Sequence, residues 1–139
     1  MRNPKTPISS AAVLCAILAL PVAAETPLEA ALAEGQQLTA DEIAARIVDH
    51  TVTARAGDRT FLFYYGDDNT LTGRMVGEDW SDTGYYAISD SDEVCLSMTP
   101  DDGRLRCMRL IAREGIVQKF NAAGELTFEL LSFEPGNRL

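Results

Sequence analysis

From Thr51 onward, clusters of turn-forming residues interrupt the chain about every ten residues, and the segments between them alternate apolar and polar side chains with period two. The segments are 51-TVTARA-56, 60-TFLFYY-65, 70-TLTGRMV-76, 83-TGYYAIS-89, 93-EVCLSM-98, 104-RLRCMRL-110, 116-IVQKF-120 and 125-ELTFELLSF-133. Gly57-Asp58, Gly66-Asp67-Asp68-Asn69, Asp90-Ser91-Asp92, Asp101-Asp102-Gly103, Glu114-Gly115 and Asn121-Ala122-Ala123-Gly124 punctuate them with residues that accept turn dihedrals or bond their own backbone. Only 77-GEDWSD-82 reads as a longer excursion. Connections this short force consecutive strands to run antiparallel, because a parallel crossover needs a dozen or more residues. The expected class is therefore α+β and mostly β: an N-terminal helix packed on a curled antiparallel meander or small up-and-down barrel of about eight strands.

The helix precedes the strands. Thr39 is a candidate N-cap, Glu42 completes a capping box with it, and Leu38 and Ile43 are placed to form a hydrophobic staple. A helix is expected from Asp41 to about Asp49, with Ile43, Ala44, Ile47 and Val48 on its buried face. Residues 25–37 are rich in Ala and Glu and read as a flexible leader, in which 28-LEAALAE-34 supports a short helix that Gly35 stops. The single domain is expected to span 38–139.

Residues 1–24 read as a signal peptide: Arg2 and Lys5 precede the apolar run 8-ISSAAVLCAILALPV-22, and 22-VAA-24 presents small residues for cleavage. Pro21 breaks the run before it reaches the length of a membrane span, so no stable span is expected after cleavage. Cys15 lies within this segment and is preceded by Leu14 rather than the small residue a lipid-attachment site requires. The expected location is periplasmic or secreted. Loss of Arg2 and Lys5 leaves ten basic against 21 acidic side chains, a charge that repels nucleic acid and anionic lipid. Nine of the ten bases are Arg, and Lys119 alone is Lys.

In 93-EVCLSMTPDDGRLRCMRL-110, pairing Met98 with Arg104 across the pentad places Cys95 opposite Cys107 and Glu93 opposite Arg109. One register thus aligns both sulfurs and matches an acid with a base. In an exported chain the pair is expected as a disulfide closing a short loop. Zinc would need two further ligands, and His50 is the single histidine. A redox pair would favour the shorter C-x-x-C spacing.

His50 follows the helix and reads first as a partner for its C-terminus. The acidic groups Asp67-Asp68, Glu78-Asp79, Asp90-Ser91-Asp92-Glu93 and Asp101-Asp102 fall where turn chemistry explains Asp; calcium is the alternative, but none has EF-hand spacing. The chain has no dinucleotide fingerprint and no P-loop, so no cofactor is expected. In 60-TFLFYY-65 the residues Phe61, Phe63 and Tyr65 share one face, while 85-YYAI-88 offers aromatics to both. Tyr65, Tyr85, Tyr86 and Trp80 are the candidate binding residues: core packing is the plain reading, and an apolar ligand or a partner surface the functional one. No catalytic residue and no metal ligand stand out.

The capped helix ending in His50-Thr51, the segment 61-FLFYYGDD-68, 84-GYYAISD-90, the two cysteines and the C-terminal aromatic strand together resemble a group of small exported Gram-negative bacterial proteins of unknown function. The resemblance spans about residues 38–134, with Gly84-Tyr85-Tyr86 standing where the related pattern carries G-x-W. It implies export and this fold but no activity. The expected function is a non-enzymatic periplasmic binding or interaction module held by one disulfide, taking a small apolar ligand or a basic envelope protein as partner. A small hydrolase using carboxylates and a structural envelope protein are the alternatives.

Overall fold

The alternating segments become strands because each can bury one row of side chains while its short polar turn reverses the chain. A computed structural model describes residues 2–5, 7–8 and 15–139. Its elements are α1 (Pro27–Glu34), β1 (Gln36–Gln37), α2 (Ala40–Ile47), β2 (His50–Ala56), β3 (Arg59–Tyr65), β4 (Thr70–Met75) and β5 (Ser81–Ser89). They continue with β6 (Glu93–Ser97), a 3₁₀ turn at Thr99–Asp101, β7 (Arg106–Arg113), β8 (Ile116–Phe120) and β9 (Leu126–Pro135).

Every pairing is antiparallel. Strands β2 to β9 pair in chain order, and β2 also pairs with β9, so the eight close into a barrel. β1 is an added strand: Gln36 and Gln37 pair with Ala112 and Ile111, on the part of β7 beyond its pairing with β6. The mostly-β class and the eight-stranded meander read from the turn spacing are present, and the open alternative gives way to a closed ring.

Thr39 caps α2 through the Glu42 backbone, and the Glu42 carboxylate returns to the Thr39 N–H at 2.8 Å. Ile43 and Ile47 are buried and join Leu38, Val52, Tyr65 and Leu71 in the main core. α2 therefore plugs the end of the barrel where β2 begins and β3 finishes. Val48 ends the helix, and the Nδ1 of His50 lies 2.7 Å from the Val48 carbonyl, so His50 does serve the helix C-terminus.

Within 25–37, read as a flexible leader with a short helix stopped by Gly35, that helix is present as α1, with Gly35 at its C-cap. Thr26 and Glu29 form a second capping box, Ala31 is buried, and Leu28 packs against Ile111 and Phe120 on the outer face of β7 and β8. An ion pair between Glu34 and Arg113 fastens the end of α1. The segment is ordered because it covers two apolar side chains that the barrel exterior would otherwise expose. The 77–82 excursion is also shorter than expected, since β5 already begins at Ser81.

Residues 1, 6 and 9–14 of the expected signal peptide lie outside the described residues. Residues 15–26 form no helix or strand, and Ile17, Leu18, Leu20 and Val22 are exposed. Among the described residues no helix is long and apolar enough to cross a membrane.

Candidate functional site

The end of the barrel opposite α2 is not plugged. A cavity of about 220 Å³ lies there, walled by β3, β4, β6, β7, β8 and β9 and rimmed by Trp80 and the 3₁₀ turn. Strand alternation supplies the wall. Phe61, Phe63 and Tyr65 point inward from β3, Leu71 from β4, Leu96 from β6, Met108 from β7 and Phe128 from β9.

The aromatics are interlocked. Phe61 and Phe63 stack with centroids 5.8 Å apart, and Phe128 stands edge-on to both, at 5.4 and 5.5 Å. Gly73 faces Phe63 across the sheet, and a Cβ there would come within 2.7 Å of the Phe63 ring, so this glycine makes room for the aromatic wall. Trp80 lies 38% exposed at the mouth, edge-on to Phe61 at 5.6 Å.

The rim is fixed by charge-assisted bonds. The Asp101 carboxylate accepts from Arg106 Nε at 2.6 Å, from a second Arg106 nitrogen at 3.0 Å and from the Met98 N–H at 2.8 Å. These bonds, the Arg106 pair foremost, hold its carboxyl below the usual Asp range. Asp82 accepts from the hydroxyl and the N–H of Thr99, at 2.5 and 3.0 Å, and its carboxyl is likewise lowered, chiefly by the hydroxyl. Both carboxylates are thereby committed to holding the 3₁₀ turn against β5 and β7.

One cavity residue is chemically out of place. Lys119 points inward from β8 at the position paired with Phe128, is 3% exposed, and sets its Nζ 5.6 Å from the centre of the Phe128 ring. Among the described residues no ion pair and no hydrogen bond reaches that ammonium group. Burial, reinforced by the nearby Arg106, lowers its pKa to about 7. A register shift at Lys119/Phe120 makes room for Thr127, whose hydroxyl donates to the Lys119 carbonyl at 2.9 Å. Such bulges re-aim side chains at barrel rims.

The four candidate binding residues divide. Tyr65 lines the cavity, buried, and burial pushes its phenol well above the ordinary value. Trp80 lines the mouth. Tyr86 stands edge-on to Tyr65 at 5.0 Å and donates its hydroxyl to the Gly66 carbonyl at 2.6 Å, which makes it a support for Tyr65 rather than part of the wall. Tyr85 points outward, 67% exposed. The candidate list omitted Lys119, Phe61, Phe63, Phe128 and Arg106. The alternation in 116-IVQKF-120 already places Lys119 on the same face as the buried Val117, and it is the one lysine after residue 24.

Cys95 and Cys107 are joined in a disulfide, with Cα atoms 3.9 Å apart, as the Glu93–Arg109 register requires. Glu93 Oε1 lies 3.7 Å from Arg109 Nε. The Glu93 carboxylate and the two sulfurs sit within 4.8 Å of one another, but sulfurs bonded to each other offer a metal no thiolate. Among the acidic turns, Asp92 accepts from the Ala40 N–H at 2.7 Å, which ties its turn to α2. Asp68 accepts from the Thr70 hydroxyl at 2.5 Å, which lowers its carboxyl below the ordinary range. Compared with models of known families, with curated proteins and with solved structures, the chain matches none, and the chemistry of this cavity rests on its own residues.

Proposed function

We propose that the protein is an exported, non-enzymatic binding module that takes a small, largely apolar ligand into the open end of its barrel. The observation that carries this reading is the aromatic-walled cavity of about 220 Å³ facing the end away from α2. Export is supported by the Cys95–Cys107 disulfide and by an apolar run before residue 25 whose described side chains take no part in the core. The periplasm or the medium is the proposed location. The rim carboxylates that a hydrolytic reading would use are occupied by Arg106 and Thr99.

Trp80 is the single tryptophan and stands at the mouth, so its emission reports occupancy. Titration of the disulfide-intact protein with octanol is expected to shift or quench that emission saturably. Filling the cavity by Leu96→Trp in a Trp80→Phe background should abolish retention of octanol in native mass spectrometry. Absence of any saturable change or bound mass in the unaltered protein would overturn the reading.

A further inference from the structure

Proteins tolerate a buried cation when an anion or a set of hydrogen-bond acceptors answers it. Lys119 has neither among the described residues, although it is buried in the wall of an open cavity. The charged and titratable groups lining the same cavity are Asp82 from β5, Asp101 from the 3₁₀ turn, Arg106 from β7 and Tyr65 from β3. Asp101 is bound to Arg106, and Asp82 is bound to Thr99. Tyr65 is a phenol held neutral by burial. Nothing facing Lys119 from β9 is charged, since Phe128 and Thr127 occupy that side and Glu129 pairs outward with Arg55.

We infer that the cavity binds a small amphipathic carboxylate, its acidic head paired with Lys119 and its apolar body against Phe61, Phe63, Phe128 and Trp80. This rests on the reading of the cavity as a ligand site and names the ligand class. Size sets the body: at about 30 Å³ for each water-sized group, the cavity holds roughly seven such groups, the bulk of a chain of six to eight carbons.

Proton uptake distinguishes this pairing from simple filling of the cavity. With a pKa of about 7 in the empty protein, Lys119 is mostly neutral at pH 8. A carboxylate beside it favours the ammonium form, so binding draws one proton from solvent onto Nζ. Affinity should be flat from pH 7 down to the range where the ligand's own carboxyl takes up a proton. Above pH 7 it should fall by up to tenfold for each further pH unit until the pKa of the bound state is passed.

The test uses isothermal titration of the intact, disulfide-bonded protein with octanoate, octanamide and octanol, in buffers of different ionisation enthalpy at pH 6 and pH 8. Octanoate is expected to bind at least tenfold more tightly than octanamide at pH 6, and to take up a proton, approaching one per ligand, at pH 8. In Lys119→Met the preference should vanish while octanol binding persists, with a thermal melt checking the fold. If octanol and octanoate bind alike and no proton is taken up, the carboxylate assignment is wrong and the apolar cavity stands. If none of the three binds, both readings fail. Should Lys119→Met not fold, the isosteric series and the proton count on the native protein still decide.

Discussion

At the scale of single residues, the side chain at position 119 has a cost that pH exposes. An unfolded lysine titrates near 10.4, whereas Lys119 in the barrel titrates near 7. The unfolded chain therefore binds more protons between these values, and stability attributable to this residue rises as pH increases from about 7 to about 10. Below pH 7 both states are protonated and the penalty is complete. Each tenfold change in the proton equilibrium is worth about 1.4 kcal/mol, so Lys119→Met should stabilise the protein by several kcal/mol at pH 6. Denaturation of both proteins at pH 6 and pH 9.5 should show that advantage shrinking at the higher pH, and a constant difference would contradict the assignment. Only its solitude was legible, as the one lysine after residue 24; alternation in 116-IVQKF-120 sets Lys119 on the face opposite Ile116 and Phe120 and does not say which face turns inward. What the sequence did not disclose was the absence of a partner, because Asp82 and Asp101 come near it only through the folded rim.

At the scale of elements, local signals were read well where they were complete. The α2 capping box, the turn clusters and the Cys95–Cys107 register each depend on neighbours within a few residues or on one hairpin, and each is present. α1 has the same Thr-x-x-Glu signature, in Thr26 and Glu29, yet it is too short to be stable on its own. Its order comes from Leu28 and Ala31 meeting Ile111 and Phe120, residues about 80 to 90 positions away that no local pattern connects to it. Deleting residues 25–37 should uncover those two side chains. At about 1.5–3 kcal/mol for each large apolar side chain returned to water, the loss should be roughly 3–6 kcal/mol. A thermal melt of the truncated, disulfide-bonded protein measures it, and an unchanged midpoint would mean that α1 contributes nothing to the fold.

At the scale of the whole molecule, hairpin rules give the order of strands but not whether the ring closes. Closure depends on β2 meeting β9, where Val52 pairs with Phe133, and on the register shift after Thr53 that bends the sheet onto itself. Thr51, buried beneath the seam, donates to the Gly136 carbonyl at 2.7 Å and accepts from the Arg138 N–H at 2.9 Å, tying the last residues to the first barrel strand. Because these contacts span most of the chain, refolding of the disulfide-intact protein should take milliseconds to seconds rather than microseconds. Stopped-flow recording of Trp80 emission measures it. The plug formed by α2 also has a kinetic meaning. With one end sealed by Ile43 and Ile47, the barrel has one open mouth, and on the proposed reading a ligand would have to leave by the route it entered. A molecule delivering such a ligand and one collecting it would both have to approach the same rim of Trp80, Pro100 and Arg106. On that reading the two could not engage together, and transfer would run as a shuttle, with release from the donor completed before the acceptor is met.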